Sequence, residues 1–95
     1  MKKDNLFKVL SDVFGFNSDI IGIAENVISR IDFNEFDKDD IYSIIDTAMN
    51  DELIYYNDQW TMMMFYQLPQ EANFENAWYN FEDDLYKVIT EIIGG

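Results

Sequence analysis

"NDELIYYNDQWTMMMFYQL", residues 50–68, is the stretch on which the fold class turns. Its "LIYY" suits a short strand, and the "ND" that follows can turn the chain back into "QWTMMMFYQL" as a hairpin. The competing reading is a helix beginning near Asp58. Trp60, Met63, Met64 and Gln67 then share a helical face, methionine and glutamine favour helix, and Pro69 ends it. The helical reading is preferred, with a short hairpin near residues 53–66 as the alternative. It places Met63 and Met64 in the core, Met62 and Phe65 partly outward, and makes Trp60 and Trp78 core anchors.

The flanking segments favour helix more plainly. In residues 4–14, Leu6, Phe7, Leu10, Val13 and Phe14 recur at helical spacing, and Gly15 closes the run. Asn17 or Ser18 can cap a second helix whose stripe is Ile20, Ile21, Ala24, Val27, Ile28 and Ile31. Gly22 inside that helix costs up to ~1 kcal/mol, which suggests a close approach of a neighbour. "DFNEFDK" reads as a polar turn. Asp37 or Asp39 then caps a third helix with Ile41, Ile44, Ile45 and Ala48 inward. Asn73 caps the last helix, in which Phe74, Trp78, Phe81, Leu85, Val88, Ile89 and Ile92 repeat at spacings of three and four until Gly94 and Gly95. The sum is an all-α chain, a compact bundle of four to five short helices forming one acidic domain over residues 1–95.

Composition sets the class. Ninety-five residues with 48% apolar and 17% aromatic content suit a single folded domain. There is no cysteine, so no disulfide and no thiolate chemistry. "MKKDNLFKVL" is too polar for a secretory signal, and no stretch supplies the ~20 apolar residues of a membrane span. A soluble, intracellular protein is expected.

Nineteen acidic residues face six basic ones, a net charge of −13, where a small soluble domain needs a magnitude of roughly 2–8. Four of the six basic residues, Lys2, Lys3, Lys8 and Arg30, precede residue 31, and the tract from Asp39 to Tyr86 holds eleven acidic residues and no basic one. Such a field repels itself and attracts cations over a Debye length of ~8 Å. Nucleic acid and anionic membrane are therefore poor direct partners, and a basic protein surface is a good one.

Catalytic and metal readings have little material. With no histidine, imidazole bases, Ser-His-Asp triads and His-based metal sites are excluded. Glycoside hydrolysis by paired carboxylates needs a sugar-binding cleft that a short helical bundle seldom offers. No phosphate-binding glycine motif occurs. "DFNEFDKDDIYS" superficially resembles a calcium loop, but Phe36 takes the fifth position, Asp37 stands where glycine is required, and Ser43 replaces the final glutamate. Glu82, Asp83 and Asp84 are adjacent on a helix and point apart. No enzyme activity, cofactor or metal is expected.

The binding candidates are the carboxylates outside the apolar stripes, Asp39, Asp40, Asp46, Asp51, Glu52, Glu75, Glu82 and Asp83, with Tyr79 and Tyr86 between them. At 100° per residue, Glu75, Tyr79, Glu82 and Tyr86 fall within roughly 60° of one another, centred about 110° from the apolar stripe. Tyrosine adds apolar contact area and a hydroxyl at such surfaces. The plain alternative is a solvated face with tyrosine stems capping the core edge.

A small, helix-rich chain of high negative charge, with basic residues excluded from a long tract, resembles the DNA mimics of phages and mobile elements. Anti-restriction proteins, uracil-DNA glycosylase inhibitors and some anti-CRISPR proteins belong to that class. "DQWTMMMFYQLPQEANFENAW" also looks like small proteins of phages and mobile elements to which no activity attaches. The resemblance implies a non-catalytic inhibitor in the cytoplasm of a bacterial host, binding the basic surface of a DNA- or RNA-binding nuclease complex. Duplex DNA carries one charge per ~1.7 Å, hence about 18 over ~30 Å, and −13 on one small domain approaches that density. The alternatives are an acidic adaptor that binds a basic host or phage protein without mimicry, and a self-associating structural module. The class shares no motif, so it assigns no residue a role.

Overall fold

The computed structural model describes residues 3–35, 37–53, 56–66 and 74–94, and the fold is all-α. Five α-helices follow one another among the described residues: α1 (Lys3–Phe14), α2 (Ser18–Ser29), α3 (Ile41–Glu52), α4 (Tyr56–Tyr66) and α5 (Phe74–Gly94). Their ends follow local chemistry. Gly15 takes φ 72°, the left-handed conformation that only glycine adopts cheaply, and its N–H reaches back to the Ser11 carbonyl at 2.8 Å. Asn17 then caps α2, its side-chain oxygen accepting from the Asp19 and Ile20 N–H groups at 3.1 and 3.2 Å.

The polar connection after α2 folds as two three-residue 3-10 turns, Phe33–Glu35 and Lys38–Asp40. Asp37 caps the second of these rather than α3, accepting from the Asp39 N–H at 3.0 Å. Asp40 precedes α3 without making a side-chain cap, so neither Asp37 nor Asp39 caps that helix.

Helix α5 is the organising element. It packs against α1, α3 and α4, while α2 packs against α1, α3 and α4. The inward positions of α5 are Ala77, Phe81, Leu85, Val88 and Ile89, at the spacing its sequence set. Phe14 on α1 bridges three elements, its ring 5.9 Å from Phe65 of α4 and 5.6 Å from Phe81 of α5. Every buried side chain among the described residues is apolar, which leaves the carboxylates on the outside.

The described residues of the 50–68 stretch are helical apart from the turn at Leu53. Helix α3 runs through Glu52, and α4 begins at Tyr56, two residues before Asp58. There is no strand or hairpin among the described residues near 53–66. The orientation of α4 differs from expectation. Met62 is fully buried and Met63 half-buried, whereas Met64 is 60% and Trp60 54% exposed. Met64 is therefore not core, Met62 is, and Trp60 is no core anchor. From Trp60 onward α4 is apolar on every side, so periodicity could not orient it; the fit of Met62, Phe65 and Tyr66 against the core did. Trp78 stands at the core edge, packed from one side.

Gly22 also departs from expectation. A methyl group built there meets nothing within 4 Å, so no neighbour needs the gap. Gln67, Pro69 and Asn73, assigned to a helical face, a stop and a cap, lie outside the described residues, as do Ile54, Tyr55 and Gly95.

Candidate partner-binding face

Helices α3 and α5 bury Ile41, Ile45, Ala48 and Met49 on one side and Ala77, Phe81 and Leu85 on the other. A helix buries one stripe, so the residues flanking that stripe meet the flanking residues of its neighbour along the outer seam. On α3 these are Tyr42 and Asp46, one turn apart. On α5 they are Glu75, Trp78, Tyr79, Glu82, Asp83 and Tyr86.

Three contacts tie the seam together. The Tyr42 hydroxyl donates to Asp83 Oδ1 at 3.1 Å. The rings of Tyr42 and Tyr86 stack with centroids 4.6 Å apart and planes within 6°. Trp78 Nε1 donates to Asp46 Oδ1 at 3.1 Å. One turn further along α5, the Tyr79 hydroxyl donates to Glu75 Oε1 at 3.3 Å. The tyrosines and Trp78 thus hold carboxylates at fixed positions while remaining partly exposed themselves.

The charges at the seam crowd one another. The Glu82 carboxyl is pushed above the ordinary carboxylate range, first by partial burial, then by the Asp46 charge and a hydrogen bond between the two carboxyls; Trp78 opposes this and Asp83 adds to it. Two carboxyls that close favour a shared proton. Glu82 is partly buried, whereas Asp46 is open to solvent. The Tyr42 hydroxyl is raised by desolvation and by Asp83, and the exposed Tyr79 hydroxyl by the charge of Glu75.

The ten residues expected from the sequence divide by position. Asp46, Glu75, Tyr79, Glu82, Asp83 and Tyr86 come together on this seam. Asp39 and Asp40 join its end, bordering a recess of about 200 Å³ with Lys38, Tyr42 and Tyr86. Asp51 lies elsewhere, with Asp40 in a groove of about 380 Å³ whose floor is Ile31, Ile44 and Ala48 and whose rim adds Asp32, Glu35, Asp37 and Arg30. Glu52 stands apart, bound by the Arg30 guanidinium at 2.6 Å. The sequence tract holds no basic residue, yet folding brings one to Glu52 from α2's end, 22 positions away.

Sequence reasoning missed Tyr42 and the polar role of Trp78. Tyr42 was findable, since it lies four residues before Asp46 on α3's outer face. The Trp78 indole bond was not, because its partner is 32 residues distant. The ion pairs seen among the described residues, Arg30–Glu52 and Lys87–Asp84, both lie outside the Asp46–Glu82 cluster.

Among the described residues no three acidic side chains converge to hold a metal ion, and no helix is long and apolar enough to cross a membrane. What the seam can do chemically is accept: it presents carboxylates and aromatic faces to a cationic, hydrogen-bond-donating surface. Comparison with family models, with curated proteins and with solved structures found no match to this chain.

Proposed function

We propose that this chain is a non-catalytic binding protein whose α3–α5 seam docks on the basic, nucleic-acid-binding surface of a partner and keeps nucleic acid away from it. The observation that carries the reading is the geometry of the seam, where Trp78 holds Asp46 and Tyr42 holds Asp83 across α3 and α5, so that like charges gather and repel. Repulsion of this kind opposes folding, and a cationic partner would relieve it. Helical carboxylates stand in for phosphates, and Tyr42, Tyr79 and Tyr86 supply contact area between them. The resemblance to anti-restriction and anti-CRISPR inhibitors makes a bacterial defence nuclease the first partner to test.

Affinity capture from bacterial lysate supplies the partner, and competition supplies the test. Duplex DNA and the chain should exclude each other from it, and binding should weaken as salt rises. A carboxylate desolvated against arginine costs about 2–5 kcal/mol on truncation, while a rim charge is worth little. The Glu82→Lys, Asp83→Lys pair should therefore weaken binding more than alanine at either position, with helicity retained. Simultaneous binding of DNA and chain would reject mimicry in favour of an acidic adaptor. Full, salt-indifferent binding by the double lysine variant would return the seam to ordinary solvated surface.

A further inference from the structure

Helix α4 leaves an apolar side uncovered. Its inner side seats Met62 in the core, while Trp60 and Met64, one turn apart, are 54% and 60% exposed. They border a groove of about 280 Å³ lined by Asn17, Asp19, Trp60, Thr61, Met64 and Phe65, where α4 meets the start of α2. Next to Asn17 in the chain, Phe16 follows the left-handed Gly15 and is 89% exposed. One exposed apolar side chain needs no explanation, but Trp60 and Met64 are both more than half exposed on one groove that also carries the polar side chains of Asn17, Asp19 and Thr61.

Charge selects the occupant. The only charged side chain among the described residues lining the groove is Asp19, and the whole chain carries −13. A second copy would bring another −13 and, in a two-fold contact, its own Asp19 to the same place. An anionic membrane is repelled for the same reason. A cationic amphipathic helix is attracted by the field and can match both parts of the groove. We infer that the α4 groove receives such a helix from a partner protein, an apolar side chain seated between Trp60 and Met64 and a lysine or arginine reaching Asp19. This is the helix-in-groove mode of recognition. The surface is distinct from the α3–α5 seam and stands whether or not the seam mimics DNA.

The test uses the full chain, ¹⁵N-labelled, and three synthetic helical peptides: leucines on one face with lysines on the other, the same leucines with glutamates, and the same lysines with serines. The leucine–lysine peptide should shift the Trp60 indole and the amides of Asn17, Asp19, Thr61 and Met64. Trp60→Ser and Met64→Ser should each weaken it by about 10-fold or more, as truncation of an interface anchor does. Both side chains are more than half exposed, so the fold should survive, and circular dichroism checks that it does. The lysine–serine peptide should lose the Trp60 shift, and Asp19→Asn should weaken the leucine–lysine peptide. The Glu82→Lys, Asp83→Lys variant should keep the Trp60 shift, which separates this groove from the seam. The inference is overturned by equal binding of the leucine–glutamate peptide, by shifts confined to the seam, or by wild-type affinity in both serine variants. It is also overturned if the free chain sediments as a dimer that Trp60→Ser converts to monomer, since the occupant would then be a second copy.

Discussion

Replacing Glu82 by glutamine asks whether the α3–α5 seam holds charge at the expense of the fold. Partial burial, the Asp46 charge and the hydrogen bond between the carboxyls raise the Glu82 pKa in the folded chain above an unfolded value of ~4.3. A raised carboxyl pKa means that the folded state holds the proton more tightly. The stability this confers is complete below the unfolded pKa and is lost as pH rises through the folded one. At neutral pH the ionised Glu82 is therefore a net cost. Two unit charges ~4 Å apart repel by about 1 kcal/mol at the dielectric of water and about 4 kcal/mol at an effective value of 20. Asp46 is open to solvent and Glu82 only partly buried, so the lower figure applies. Glutamine keeps the volume and gives Asp46 a donor in place of a repelling charge. Glu82→Gln should gain about 1–2 kcal/mol at neutral pH, or roughly 4–8 °C in Tm for each kcal/mol in a domain of this size. Urea unfolding followed by circular dichroism, repeated at falling pH, should show the gain fading as pH drops through the raised Glu82 pKa and vanishing below the unfolded value of ~4.3. The same variant should bind a basic partner less tightly. A loss of stability at neutral pH, or a gain that grows towards acid, would refute the reasoning.

Four further outcomes test the packing. Tyr66→Phe removes a hydroxyl that donates to Asp84 Oδ2 at 2.6 Å and ties α4 to α5; hydrogen bonds to charged groups are worth about 1.5–3 kcal/mol, and the Lys87 ammonium 3.5 Å from Asp84 places the loss at the lower end. The Tyr66 hydroxyl, pushed well above its ordinary value by burial and then by Asp84, should show no ionisation in an ultraviolet titration until the chain unfolds. Met62→Ala should cost about 2–5 kcal/mol in denaturant unfolding and Met64→Ala within about 0.5 kcal/mol, since only the first leaves a cavity. Gly22→Ala should raise stability by about 0.5–1 kcal/mol, because the position is helical and its added methyl meets open space.

What the sequence determined by itself is the helical class and most of the side each stripe turns inward, although Phe7 of the α1 stripe is 54% exposed. Leu10 and Phe14, then Ile20, Ala24, Val27 and Ile28, and Phe81, Leu85 and Ile89 are buried as their three-to-four spacing requires. The Asn17 cap and the Gly15 stop were equally legible, being made within a few residues of chain. Periodicity fails where a segment is apolar on every side, so the choice of Met62 over Met64 fell to the neighbours that α4 packs against. It also says nothing of how one helix is set along another. Only the tertiary structure brought Tyr42 to Asp83 across 41 residues, Trp78 to Asp46 across 32 and Arg30 to Glu52 across 22. A helical wheel orients side chains about one axis, whereas the distance between two charges on different helices depends on where the core lets those axes cross. That crossing gathered six of the expected residues on one seam, sent Asp51 to a separate groove, and gave Glu52 an arginine.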